Sequence, residues 1–144
     1  MSVDAVQDAL AAEHAAVWAY GLVSAFISTP QQSAAVADGA TAHRARRDAT
    51  ERWLRDAGAT PRPPAAAYLP PQPVDSAASA VAALITVETD ACVAWRGVLE
   101  RTDDGALRAS ALDALTVSAV RATRWRKVAG VTPTAIAFPG AGVG

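Results

Sequence analysis

Cysteine is almost absent: Cys92 stands alone among 144 residues. A lone thiol excludes a disulfide framework within the chain and any zinc or iron–sulfur site built on several cysteines. Both fit a reducing compartment, and the expectation is a cytoplasmic protein. Lysine is as scarce, Lys127 being the only one beside twelve arginines, and histidine is limited to His14 and His43. Thirteen basic and 14 acidic residues give a formal charge of -1, so no overall field draws the chain to nucleic acid or to an anionic membrane. Nowhere do 18 apolar residues follow one another, so no membrane span is expected. The opening MSVDAVQDALAAEH carries three acids, Asp4, Asp8 and Glu13, before any basic residue and no apolar stretch, which does not fit a secretory signal. The chain also lacks an HExxH run, a phosphate-binding glycine loop and any recognisable nucleophile–base pair, so those enzyme classes receive no support.

What is abundant is alanine, with 37 residues, about a quarter of the chain. Alanine has the highest intrinsic helix propensity, and the composition points to an all-α protein. Asp4 with Gln7 three residues on has the capping-box pattern and opens a first helix over about 4–27. Thr29-Pro30-Gln31-Gln32 supplies an N-cap and a proline at the first helical position for a second helix over about 30–57, which Gly58 ends. Asp75 caps a third helix over about 76–101. The turn Thr102-Asp103-Asp104-Gly105 leads to a fourth over about 105–129, closed by Gly130.

Six of the nine prolines crowd into 61–73, which is therefore extended rather than helical. The 17 residues of 58–74 reach roughly 50 Å at ~3.1 Å per residue, more than the ~36 Å of a 24-residue helix. Two antiparallel helix hairpins joined by a long Pro-rich crossover follow, with 1–130 as one bundle domain and 131–144 as a Pro/Gly-containing tail whose Ile136 and Phe138 can pack on the body.

The helical stripes contain polar residues where apolar ones belong. At 100° per residue, Val6, Leu10, Val17 and Tyr20 lie near Glu13, while Val81, Leu84, Ile85, Cys92, Trp95 and Leu99 lie near Glu88. His43 and Arg47 sit at the edge of the second helix's inward side. These four polar side chains fall within about 7 Å of one another along the bundle. A buried carboxylate must be paired, protonated or bound to metal, so a buried polar network of Glu13, His43, Arg47, Glu88 and Tyr20 is expected, with Arg121 as a further candidate. The alternative is a metal site on Glu13, His43 and Glu88, a ligand set suited to Fe, Mn or Zn. The clustered arginines of 43–48 and 121–127 are interleaved with acids or sit at a helix C-terminus, so a solvated face is expected there and not a nucleic-acid surface. The first helix carries a second apolar strip, Ala11, Ala15, Trp18, Leu22 and Phe26, which calls for a cover: the crossover and tail are candidates within the chain, and the expectation is a homodimer through this strip.

Glu13-His14 within LAAEHAAVWAYGLV, the HRARRD run 43–48, Gly58-Ala59, Tyr68-Leu69-Pro70, Glu88 and RATRWR at 121–126 together resemble the ferritin-like superfamily. The likeness is to its subfamily of small alanine-rich bacterial proteins, a domain of unknown function, and it covers 4–130. The resemblance implies a ferritin-like four-helix bundle. Di-iron members of that superfamily use one Glu from each of two helices and Glu-x-x-His from each of the others. Glu13 and Glu88 match the two single glutamates and His43 the second-helix His, but Ala40 stands where its Glu belongs and the fourth helix supplies no ligand. The expectation is thus a scaffold or binding module without redox metal and without cofactor, the alternative a metal-dependent oxidase or iron-handling protein.

Overall fold

A computed structural model describes residues 2–141; Met1 and the last three residues of the expected tail lie outside the described residues. Among the described residues there are four helices and no strand: α1 (Ser2–Val23), α2 (Pro30–Asp56), α3 (Ala77–Arg101) and α4 (Gly105–Ala129). The all-α architecture is that of a four-helix bundle. The caps explain most of the boundaries. Thr29 sits in extended backbone and accepts from the Gln32 amide, with Pro30 opening α2. Asp104 accepts from the Leu107 amide at 2.7 Å, and Gly130, at φ 70°, ends α4 in the left-handed conformation that glycine tolerates.

Three boundaries differ from the sequence expectation. α1 starts at Ser2, so Asp4 lies inside the first turn, where its charge suits the helix dipole, and does not cap it. Gln7, freed from a capping box, reaches the segment after α2: its Nε2 donates to the Thr60 carbonyl at 2.8 Å and its Oε1 accepts from the Arg62 amide at 2.9 Å. At its other end α1 stops at Val23 and not Ile27. The chain tightens there through i to i−3 bonds and folds Ile27 back into the core, a packing that helical periodicity alone cannot distinguish from another helical turn. The cap of α3 is Ser76 rather than Asp75. The Ser76 and Ser79 hydroxyls each accept the other's backbone N–H, while Asp75 accepts from the Ser79 hydroxyl at 3.2 Å.

α1 packs on α2 and α3, and α3 on α4. One apolar cluster joins Val6 and Leu10 to Leu54, Trp95, Val98 and Leu107. A second, at the opposite end, joins Tyr20 and Val23 to Val36, Val81, Leu84 and Trp125. Both α2 and α3 therefore run antiparallel to α1. The proline-rich segment lies along α1, from Gln7 beside Thr60, past His14 beside the Arg62 carbonyl, to Trp18 against the Tyr68 ring at 5.6 Å. It covers part of the second apolar strip: Ala15, Trp18 and Leu22 line a small cleft with Tyr68 and Leu69, and Phe26 packs on the second cluster, whereas Ala11 faces outward. α3 is long and apolar enough to cross a bilayer by length and composition. Counting consecutive apolar residues does not reveal this, because Thr86, Glu88, Thr89 and Asp90 interrupt the run. In the fold α3 lies between α1 and α4 with Glu88 fully buried.

Candidate functional site

Between the two apolar clusters lies a polar layer. Alanines let the helices approach closely here: Ala9 and Ala16 on α1 and Ala91 on α3 are fully buried around it. Into this space α1 sends Glu13 and Tyr20, α2 sends His43 and α3 sends Glu88, each essentially inaccessible to solvent. The His43 ring stands between the two carboxylates. Its Nδ1 is 2.6 Å from Glu13 Oε2 and its Nε2 is 2.9 Å from Glu88 Oε1.

Burial alone would push the imidazole toward its neutral form. The hydrogen bonds to Glu13 and Glu88, and the charges of the same two groups, outweigh it and hold His43 up at about 9. At neutral pH both ring nitrogens therefore carry hydrogen and both donate. The outer carboxylate oxygens are also engaged. Trp95 Nε1 donates to Glu13 Oε1 at 2.9 Å, and the Tyr20 hydroxyl donates to Glu88 Oε2 at 2.6 Å while accepting from Trp125 Nε1 at 3.0 Å. Burial and then the Glu88 charge raise the Tyr20 phenol above its ordinary range, so it stays protonated and serves as a donor. The Tyr20 and His43 rings face each other at 5.4 Å.

α4 closes the layer with a different chemistry. It contributes the Trp125 indole and, on the same side, Ser118 and Arg121. Cys92 is bonded to the Leu115 carbonyl at 3.7 Å, so Glu88, one turn earlier on α3, lies level with Ser118 on the antiparallel α4. The Arg121 charge acts on Tyr20 in the sense opposite to Glu88. Ser118 Oγ and Arg121 Nε are buried there without a hydrogen-bond partner among the described residues. Cys92 is an inert thiol: burial and the Glu88 charge push it up to about 12.

Of the residues singled out from the sequence, the structure brings Glu13, Tyr20, His43 and Glu88 together and leaves Arg47 outside. Arg47 Nε donates to the Asp48 carboxylate at 2.9 Å on the surface. A long side chain at the edge of a helix stripe can bend to water, and His43 already supplies the cation that Arg47 was expected to provide. Arg47→Ala should accordingly change stability by less than about 0.5 kcal/mol in urea unfolding. Trp95 and Trp125 are the donors that helical periodicity did not identify. The available signal was chemical: a buried indole N–H needs an acceptor, and Trp95 shares the Glu88 stripe.

Two buried carboxylates facing one imidazole raise the question of metal. Glu13, His43 and Glu88 are its only candidate ligands in the layer, and they fit poorly. Both imidazole nitrogens donate to carboxylates, and every oxygen of those carboxylates accepts from a protein donor. Among the described residues no group of three or more His, Cys, Asp or Glu side chains is arranged to hold a metal ion.

No curated protein matches the chain. It is similar in structure to a conserved hypothetical protein, rv2844, from Mycobacterium tuberculosis, with 43% sequence identity and a TM-score of 0.84 over 88% of this chain and 96% of that one. The match takes in nearly the whole of both chains, and a family model described as a domain of unknown function, DUF4439, extends over residues 5–143, from the first turns of α1 through the tail. Helices, polar layer and tail thus fall within one family unit, and the chain belongs to the DUF4439 family.

Proposed function

We propose that this protein is a ferritin-like bundle acting as a scaffold or binding module without redox metal, in which the imidazolium of His43 takes the role a bound cation would have between two buried carboxylates. One observation carries this reading: each nitrogen of His43 is committed to a different glutamate, at 2.6 and 2.9 Å. An imidazole that ligates metal offers a lone pair to it and keeps only its second nitrogen for an outer partner. Here both nitrogens donate outward. The remaining carboxylate oxygens are met by Trp95 and Tyr20, so ligating a metal through this set would forfeit several buried hydrogen bonds at once. The buried, protonated thiol of Cys92 suits a reducing cytoplasm.

Elemental analysis tests this directly. Protein expressed with supplemented iron, manganese and zinc is expected to purify colourless with substoichiometric metal, and added Fe(II), Mn(II) or Zn(II) is expected to leave its melting temperature unchanged. One metal ion per chain, lost on Glu88→Ala, would sink the proposal in favour of an iron-handling or oxidase role on Glu13, His43 and Glu88.

A further inference from the structure

A second cavity lies over α3 and α4, lined by none of α2. After Gly130 the chain folds back over the two helices and is tied at two points. Arg126 Nε donates to the Pro133 carbonyl at 3.1 Å. Further on, Gly140, at φ 78°, lies so close to the backbone of Cys92 that a Cβ there would collide with the Cys92 carbonyl oxygen. Between these ties the segment 134–139 arches over a cavity of about 480 Å³, a size in the range of small-ligand pockets. Its floor is Cys92, Val93, Ala119 and Ala122, and its outer wall includes Ile136 and Phe138. These two and Val93 are among the most exposed large apolar side chains of the molecule, Phe138 at 72%.

The polar groups of this cavity are sparse and unequal. The Thr89 and Thr123 hydroxyls are spent on carbonyls of their own helices, Ile85 and Ala119. Arg126 is the only charged side chain in the lining, and it uses Nε alone on Pro133, leaving the two terminal nitrogens without a protein partner among the described residues. Thr134 adds a hydroxyl to the lining, so the pattern is an apolar slot with that hydroxyl and a single guanidinium fork. Guanidinium recognises carboxylate through paired hydrogen bonds. The Cys92 thiol is held protonated, so the ligand would be bound without covalent attachment.

We infer that the arch formed by residues 134–139 over α3 and α4 is a binding site for one small aliphatic carboxylate, its chain lying on Cys92, Ala119 and Ala122 beneath Ile136 and Phe138, and its head on Arg126. This goes beyond the metal-free reading of the polar layer and stands or falls separately from it, since no residue of that layer lines the cavity.

The probe is dansyl-labelled undecanoate, titrated into the full chain and followed by fluorescence. Saturable 1:1 binding is expected, with decanoate displacing the probe. Decanol, which lacks the anionic head, should compete about tenfold less well on the native protein and no differently from decanoate on Arg126→Gln, a comparison that separates recognition of the head from any loosening of the arch. Ala119→Trp, which fills the floor of the slot, should abolish binding while its helical circular dichroism stays native. Absence of saturable binding, equal competition by decanol and decanoate on the native chain, or unchanged binding by folded Ala119→Trp would each overturn the inference. So would light scattering that shows Ile136 and Phe138 closed off in a dimer that does not bind the probe.

Discussion

Replacing His43 with leucine is expected to lower stability at pH 7 by about 3–5 kcal/mol, a large part of what a domain of this size has. The volume is nearly conserved, so the loss is electrostatic. Glu13 and Glu88 would keep their places between two apolar clusters while losing the cation that touches both, and each would have to take up a proton or open the layer to water. Trp95→Phe is the comparison. It deletes one neutral donor to Glu13 and should cost about 1–3 kcal/mol. Urea unfolding that gives both variants the same loss would show that the charge of His43 is not what the layer depends on.

The same residue sets a pH dependence. His43 is held at about 9 in the fold, against an ordinary value of 6.5 in the unfolded chain. A group whose proton is held more tightly in the folded state stabilises that state fully below the unfolded value, and the contribution declines as pH rises through the folded one. The native protein should therefore lose about 3 kcal/mol between pH 6.5 and pH 9, measured by urea midpoints at fixed ionic strength. A native midpoint that does not fall as pH rises would mean that the imidazole is neutral in the fold.

Much of this organisation was legible from spacing. Thr29-Pro30, Asp104 and Gly130 mark helix ends because caps are local chemistry, fixed by residues next to one another. Glu13, His43 and Glu88 could be placed in one layer, with Arg47 beside them, because helical pitch converts residue number into height. What spacing does not contain is the direction a flexible side chain takes. Arg47 and His43 share an edge of α2, yet Arg47 bends out to Asp48 while the short, planar imidazole fills the gap between two carboxylates. Nor does the stripe of one helix reveal which atoms meet from another. Trp125 lies 105 positions from Tyr20, and only the packing of α4 on α3 brings its indole N–H to the phenol oxygen. Ser76 displaced Asp75 as the cap of α3 for a similar reason: both are good cap residues, and the reciprocal pair with Ser79 decided between them.

Gly39→Ala is expected to destabilise the protein by about 3 kcal/mol or more, against the roughly 1 kcal/mol that the same change gains in an exposed helix interior. Gly39 is buried in the middle of α2, and its backbone is helical, so no unusual dihedral explains it. The reason is the ring of Tyr20. A Cβ at position 39 would collide with Cε1 and lie 2.6 Å from Cζ, and neither side has room to yield. The Tyr20 hydroxyl is fixed between the Glu88 carboxylate and the Trp125 indole, so a ring pushed aside breaks both bonds and leaves a buried carboxylate oxygen and a buried N–H short of partners. Tyr20→Phe, which keeps the ring and loses only its hydroxyl, should cost less, about 1–3 kcal/mol. The double variant Gly39→Ala with Tyr20→Ala should recover much of the loss caused by Gly39→Ala when measured against Tyr20→Ala alone, because the colliding ring is gone. Additive losses in that cycle would place the role of Gly39 somewhere other than against Tyr20, and the close approach of α2 to α1 would then need a different cause.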